Sequence, residues 1–315
     1  MLRAALLLRA LVFGALLPVL SFSAQAADKV VRIGYQKYGT LILLKAKGGL
    51  DETLKPLGYT VTWTEFPAGP QLLEALNAGA IDFGSTGEAP PIFAQAAGAP
   101  IAYVANEPPA PLGEAILVPK DSPIRSVAEL KGKTVALNKG SNVHYLLVRA
   151  LEQAGVPYGE IKIVFLAPAD ARAAFERGSV DAWAIWDPYY AAAQAATGAR
   201  TLTTGEGIVP NVQFYLASRD FAAKDAQAVD ALVGAIGEVD RWASQNSKDV
   251  ANQLSASVHI PAPVIATALE RQSYGVSRIS AEVAADQQKI ADAFAALRLL
   301  PAPVSIADAV AKPGL

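Results

Sequence analysis

The chain has 315 residues, 52% of them hydrophobic and 18% charged, and its formal net charge is −2. That is the composition of an ordinary folded protein able to bury a large core, and its near-neutral, scattered charge gives no electrostatic reason to expect a nucleic-acid partner. Cysteine is absent and there are only two histidines, His144 and His259, so disulfides, thiolate nucleophiles and cysteine-rich zinc sites are excluded.

In residues 1–26, Arg3 and Arg9 precede an apolar run, Ala10 to Leu20, which leads to small residues around Ala24 and Ala26. This pattern predicts a secretory signal peptide cleaved after Ala26, since the run is too short to span a bilayer. Without a cysteine near the cleavage point no lipid can be attached there, and a freely diffusing protein of a Gram-negative periplasm is expected.

The mature chain then alternates strands and helices. Val31 to Gly34 reads as a strand, and the apolar run after Gly39-Thr40 as a helix ending at Gly48-Gly49. Tyr59 to Phe66 alternates as a strand should, Pro70 opens a helix ending near Asn77, Ile81 to Gly84 is a third strand, and Pro90 starts a third helix. About a hundred residues later the order recurs: strand Thr134 to Leu137, helix Val143 to Gln153, strand Ile161 to Leu166, helix Asp170 to Arg177, strand Val180 to Ile185, helix from Pro188. Gly79-Ala80-Ile81-Asp82 answers Gly178-Ser179-Val180-Asp181. The repeat predicts an α/β protein of two similar lobes, each a mainly parallel sheet flanked by helices, with ligands bound beyond the carboxyl ends of the strands. Two strand-like runs, Ala115 to Pro119 and Gln213 to Ala217, are expected to cross between the lobes as a hinge. The boundaries expected are 27–116 with 216–315 for the first lobe and 117–215 for the second. After residue 216 the chain turns helical (229–244, 247–255, 262–272, 281–298) and is expected to pack back on the first lobe.

Catalytic signatures fail on inspection. Gly132-Lys133-Thr134 leads into a strand and lacks the upstream glycine of a phosphate loop, and Gly84-Ser85-Thr86-Gly87 lacks the spacing of a nucleophile elbow. Ser141 and His144 read as a cap and a first-turn side chain rather than a nucleophile and its base. His259 reads as a surface loop residue. What remains points to an anion: the turns at Gly39-Thr40, Thr86-Gly87-Glu88 and Ser141-Asn142 each put a helix start on one sheet edge, where unpaired N–H groups converge. Lys37 either faces the cleft or is solvated, and Glu88 and Asp187 either touch polar or cationic ligand groups or cap helices. Trp183 reads as core and Trp186 as an apolar wall beside Tyr38. Glu107 either borders the cleft or belongs to a segment that stiffens the hinge.

Six stretches together resemble the aliphatic sulfonate-binding proteins of ABC importers: Gly34-Tyr35-Gln36-Lys37-Tyr38-Gly39, Gly69-Pro70-Gln71-Leu72-Leu73-Glu74, Asp82-Phe83-Gly84 with Thr86-Gly87-Glu88, Asn138-Lys139-Gly140-Ser141-Asn142-Val143, Asp170-Ala171-Arg172-Ala173-Ala174-Phe175, and Trp186-Asp187-Pro188. The resemblance implies a two-lobed periplasmic binding protein (type II) that closes on a sulfonate anion and presents it to a membrane permease and, through it, a cytoplasmic ATPase. It also implies that Gln36, Thr86, Gly87, Glu88, Ser141, Asn142, Trp186 and Asp187 line the site, to which the residue reading adds Lys37, Tyr38, Glu107 and Val143. No catalysis, cofactor or metal is expected, and the protein is expected to be a monomer. Relatives of this family bind taurine, nitrate or thiamine-precursor pyrimidines, and an enzyme of the pyrimidine-synthase type on the same scaffold is the rival of another class.

Overall fold

The computed structural model describes residues 29–311; the expected leader and the tail from Lys312 lie outside them. In chain order the first lobe is built from β1 (Lys29–Tyr35), α1 (Thr40–Lys47), α2 (Leu50–Leu54), β2 (Tyr59–Glu65), α3 (Gly69–Asn77), β3 (Phe83–Thr86), α4 (Ala89–Ala96) and β4 (Ile101–Asn106). The second comprises β5 (Glu114–Val118), β6 (Thr134–Leu137), α5 (Asn142–Gln153), β7 (Lys162–Phe165), α6 (Pro168–Glu176), β8 (Ala182–Trp186), α7 (Tyr189–Thr197) and β9 (Arg200–Thr204). The chain returns through β10 (Phe214–Ser218), α8 (Arg219–Lys224), α9 (Ala226–Gln245), α10 (Ser247–Val258), α11 (Ala262–Leu269), β11 (Ser277–Arg278) and α12 (Ala281–Ala296).

The strands form two sheets, ordered β11-β4-β10-β3-β1-β2 and β7-β6-β8-β5-β9. Both are mixed: β10 runs antiparallel to β3 and β4, and β5 antiparallel to β8 and β9, while β1, β2 and β3 are parallel, as are β6, β7 and β8. The two runs expected to cross as hinge strands are interior strands of single sheets. β5 pairs with the second sheet from Glu114 onward and β10 with the first from Phe214 onward. The chain therefore passes between sheets in the irregular segments 107–113 and 205–213. A strand that spanned two lobes would leave part of its ladder unpaired, which explains why the crossing is made outside them.

The repeat noticed in the sequence is a repeat of bonds. Asp82 accepts from the Arg32 N–H of β1 at 2.9 Å and its own N–H donates to the Arg32 carbonyl at 2.8 Å. Asp181 does the same with Thr134 of β6, at 2.8 Å for both bonds. In each lobe this aspartate ties the approach to the third strand of the repeat to the first, at Arg32 midway along β1 and at Thr134 at the start of β6. Gly79 and Gly178 supply the left-handed turn residue ahead of it, at φ 69° and 70°.

Two apolar clusters make the core. One lies between the first sheet and α1, α9 and α10, and includes Val31, Ile33, Phe83, Tyr215 and Leu232. The other runs from the opposite face of that sheet, under α3 and α4, into the second lobe around Ile116, Leu146 and the fully buried Trp183. The C-terminal helices return to the first lobe as expected; Ile265 and Leu269 of α11 join its core, and α11 also reaches across to α7 of the second lobe. On α12, Phe294 meets Phe93 of α4 at 4.9 Å between ring centroids and Tyr145 of α5 at 5.6 Å. Helix α12 thus joins the lobes through one buried ring.

Candidate functional site

Strands β1, β3, β6 and β8 present their carboxyl ends to one cleft, and the loops that follow carry the residues singled out from the sequence. The lobes touch across it. Asn142, first residue of α5, lies so close to the backbone of Gly87 that a Cβ on Gly87 would sit 2.0 Å from Asn142 Oδ1. The Asn142 amide donates to Asn211 Oδ1 at 2.8 Å, and Asn211 in turn donates to the Ala110 carbonyl at 2.8 Å. One jaw is thereby tied to both inter-sheet segments.

Around this contact, Gln36 is buried and donates to the Ser85 carbonyl at 3.0 Å, fixing the β1 loop against the β3 loop. Thr86 is buried, and Val143 is fully buried in the first turn of α5. Ser141 stands at the N-cap position of α5, but its hydroxyl donates to the Asn138 carbonyl at 2.7 Å instead of accepting from the helix. The first-turn N–H groups of α5 therefore keep no side-chain cap, as also at the start of α1; α4 is uncapped too, but Pro90 and Pro91 in its first turn have no N–H to offer. Lys37 forms an ion pair with Glu65 at 3.7 Å, a partly exposed contact within its own lobe. The Tyr38 hydroxyl is raised above its ordinary pKa by burial and then by the Asp187 and Glu114 charges, which places it between the lobes. Trp186 is buried edge-on to Tyr189 at 6.4 Å.

The acidic residues are where the sequence left alternatives open. Glu88 does not cap α4; its Oε2 accepts from the Val212 N–H at 2.8 Å, and burial pushes its pKa up to about 7. Asp187 does cap α7, accepting from the Ala191 N–H at 3.0 Å, and it also pairs with Arg271 at 3.3 Å. Burial lifts its pKa to about 6 against the pull of that guanidinium. Glu107 belongs to a buried polar group in the first lobe, accepting from the Tyr215 hydroxyl and from the Gly275 N–H at 2.9 Å, close to Thr40 and Asp240. Burial, then the Asp240 charge, pushes it up to about 8. Three residues were missed. Asn211 and Arg271 carry no local signature, whereas Glu114 stands alone at the head of an otherwise apolar strand, a polar residue in a buried run.

Ser141 and His144 form no dyad. His144 Nδ1 accepts from the Gly140 N–H at 3.2 Å, so its proton sits on Nε2, which faces the Tyr158 hydroxyl at 2.6 Å. Burial pushes its pKa down to about 4. His259 is exposed at the end of α10, as expected. A surface hollow of about 360 Å³ between α5 and α12 lies on helix flanks, and its charged members Arg149 and Glu152 pair with each other. It is set apart from the strand ends.

Linkage predicts a pH dependence. Glu88 and Glu107 have folded pKa values, about 7 and about 8, above their ordinary 4.5, so the folded form holds more protons than the unfolded one and stability falls as pH rises through that window. His144, lowered from 6.5, opposes this only below pH 6.5. The expected result is a lower Tm at pH 8.5 than at pH 6.5, and Glu107→Gln should reduce the difference.

Comparison with known proteins gives the family. The NMT1/THI5 like family model matches residues 60–248. An Escherichia coli (strain K12) protein described as an aliphatic sulfonates-binding protein is 46% identical over 306 residues, covering 96% of both chains. The chain belongs to the aliphatic sulfonate-binding protein family. Solved structures of the family agree in fold: the alkanesulfonate-binding protein from Xanthomonas axonopodis pv. citri bound to MOPS superposes with a TM-score of 0.85 at 43% identity, covering 90% of this chain and 99% of that one. The periplasmic aliphatic sulphonate binding protein from Escherichia coli gives 0.81 at 46%, with 91% and 93% covered. A desulfurization enzyme shares the fold alone, at 16% identity and a TM-score of 0.66. The two-lobed architecture of this sulfonate-binding family is therefore the one on which the cleft residues are arranged.

Proposed function

We propose that the protein captures an organosulfonate in the periplasm, closes its lobes around it, and delivers it as a monomer to an ABC permease coupled to a cytoplasmic ATPase. The observation that carries this reading is the contact of Asn142 with Gly87, which sets the uncapped start of α5 against the first lobe's loop before α4 at the strand ends, with the uncapped start of α1 on the same lobe. Neutral N–H donors at helix starts stabilise an oxyanion without a buried counter-charge. The nearby cations are engaged elsewhere, Lys37 with Glu65 and Arg271 with Asp187. Twelve residues are assigned to the site on this reading, with Asn142, Gly87 and Ser141 nearest the anion and Trp186 and Tyr38 against the organic part. Glu107 supports the site from behind, through Thr40 and Tyr215.

Capture requires no bond to be broken, and membership among binding proteins favours transport over catalysis. Closure would be driven only as far as the ligand prefers the closed state. Calorimetry with ethanesulfonate, propanesulfonate, taurine, MOPS, sulfate and nitrate tests the class. Heat is expected for organosulfonates and little for sulfate or nitrate; silence across all the organosulfonates would refute the reading.

A further inference from the structure

The side chains meeting in the cleft are short of donors rather than acceptors. Both carboxylate oxygens of Glu114 and Oε1 of Glu88 lack a hydrogen-bond partner, although both side chains are fully buried. Asn138 Oδ1, just past the end of β6, is a fourth unpaired acceptor. A buried acceptor left unpaired costs roughly 1–3 kcal/mol, more when charged, and proteins rarely keep several together without use. Glu114 is placed where a ligand would meet it. It opens β5 and pairs in register with Trp186, the last residue of β8, so it lies at the carboxyl edge that faces the first lobe.

Glu88 makes no capping bond to α4. Neither acid takes part in an ion pair among the described residues. Asn142 Nδ2 donates one hydrogen to Asn211 at 2.8 Å and turns the other toward Glu114, pulling its pKa partly down; one N–H cannot satisfy two carboxylate oxygens with their several lone pairs. Burial and the Glu88 charge together hold Glu114 well above the ordinary carboxylate range. The two carboxyls come from opposite lobes, and they confront each other because the lobes are together.

We propose that the captured sulfonate also carries a protonated amine, and that Glu114, with Glu88 across the cleft, selects this zwitterion over the unsubstituted alkanesulfonate. The inference rests on the sulfonate reading above and deepens it. An ammonium has three N–H donors and no acceptor, which complements three unpaired acceptor oxygens on two carboxyls. It also brings the positive charge that a buried carboxylate needs, while the sulfonate stays with the helix-start N–H groups.

Calorimetry near neutral pH with 3-aminopropanesulfonate and propanesulfonate, on the parent protein and on Glu114→Gln, decides the matter. The parent is expected to bind the aminated ligand at least about tenfold more tightly, and Glu114→Gln to bring the two affinities close to equality through loss of the aminated ligand. Equal affinities in the parent, or a preference unchanged in Glu114→Gln, would overturn the proposal while leaving sulfonate capture standing. Silence toward both ligands in the parent would overturn sulfonate capture and this proposal with it. Propanesulfonate binding reports that the variant is folded, and if Glu114→Gln does not fold, the parent's preference alone decides.

Discussion

Replacing Gly87 by valine is expected to weaken ligand binding by roughly ten- to 100-fold while leaving the fold intact. A Cβ at this position would sit 2.0 Å from Asn142 Oδ1, 2.3 Å from its Cγ and 2.4 Å from its Nδ2, so the whole amide must move. It cannot move freely, because its Nδ2 is bonded to Asn211 and Asn211 to Ala110. Overfilling a packed contact costs about 1–3 kcal/mol, and here the cost falls on the closed form alone, since opening the lobes relieves it. That energy translates into the stated loss of affinity. Gly87 is not in the left-handed region, so the substitution adds no backbone strain to confuse the result. The same experiment on Gly159, whose Cβ would meet nothing within 4 Å, should leave affinity unchanged. Calorimetry reads the affinity, and small-angle scattering should show Gly87→Val more extended with ligand than the parent. A Gly87→Val protein that binds as tightly as the parent would remove the inter-lobe contact from the mechanism.

This contact shows what the sequence could and could not disclose. The residues after each strand were legible because turn chemistry is local: Gly39, Gly87 and Gly140 punctuate strand ends, and the duplicated Gly-X-X-Asp before β3 and β8 exposed the two-lobe plan. Helix ends in the C-terminal half were also close, since Asn246, Pro261 and Ser280 mark three starts. The strands β4 and β9 escaped because their pairing partners lie far along the chain. β4 pairs with β10 and β11, and β9 with β5. The assignment of β5 and β10 as hinge strands failed for the same reason, as an apolar run of five residues says it is buried but not in which sheet. The most consequential omission, Glu114, was visible as a lone acid at the start of such a run. Its meaning depended on Glu88 and Asn142 arriving from elsewhere in the fold. Position along a sequence fixes what a side chain can do; only packing decides what it is left to do.

Arg271→Ala is expected to cost the closed form on the order of 3 kcal/mol, the low end of the range for removing one member of a buried pair. The residue follows α11, which continues from the first lobe, and its guanidinium reaches Asp187 at 3.3 Å and Gln194 at 2.9 Å in the second. It also lies over the Tyr190 ring at 3.9 Å. The low end applies because the Arg271 side chain keeps 19% of its surface exposed, whereas Asp187 keeps 1%. Ligand affinity should fall by about two orders of magnitude, because the bonds lost are those between the lobes. The pH dependence identifies the cause. Arg271 is what opposes the upward push of burial on Asp187, whose pKa stands at about 6 with the guanidinium present. Without it Asp187 should remain protonated to higher pH, and a neutral carboxyl tolerates burial far better than a carboxylate. The variant's deficit measured at pH 8 should therefore shrink markedly at pH 5, where Asp187 is protonated in both proteins. A deficit equal at both pH values would instead mean that the stacking on Tyr190 and the bond to Gln194, not the charge on Asp187, make Arg271 the clasp between the lobes.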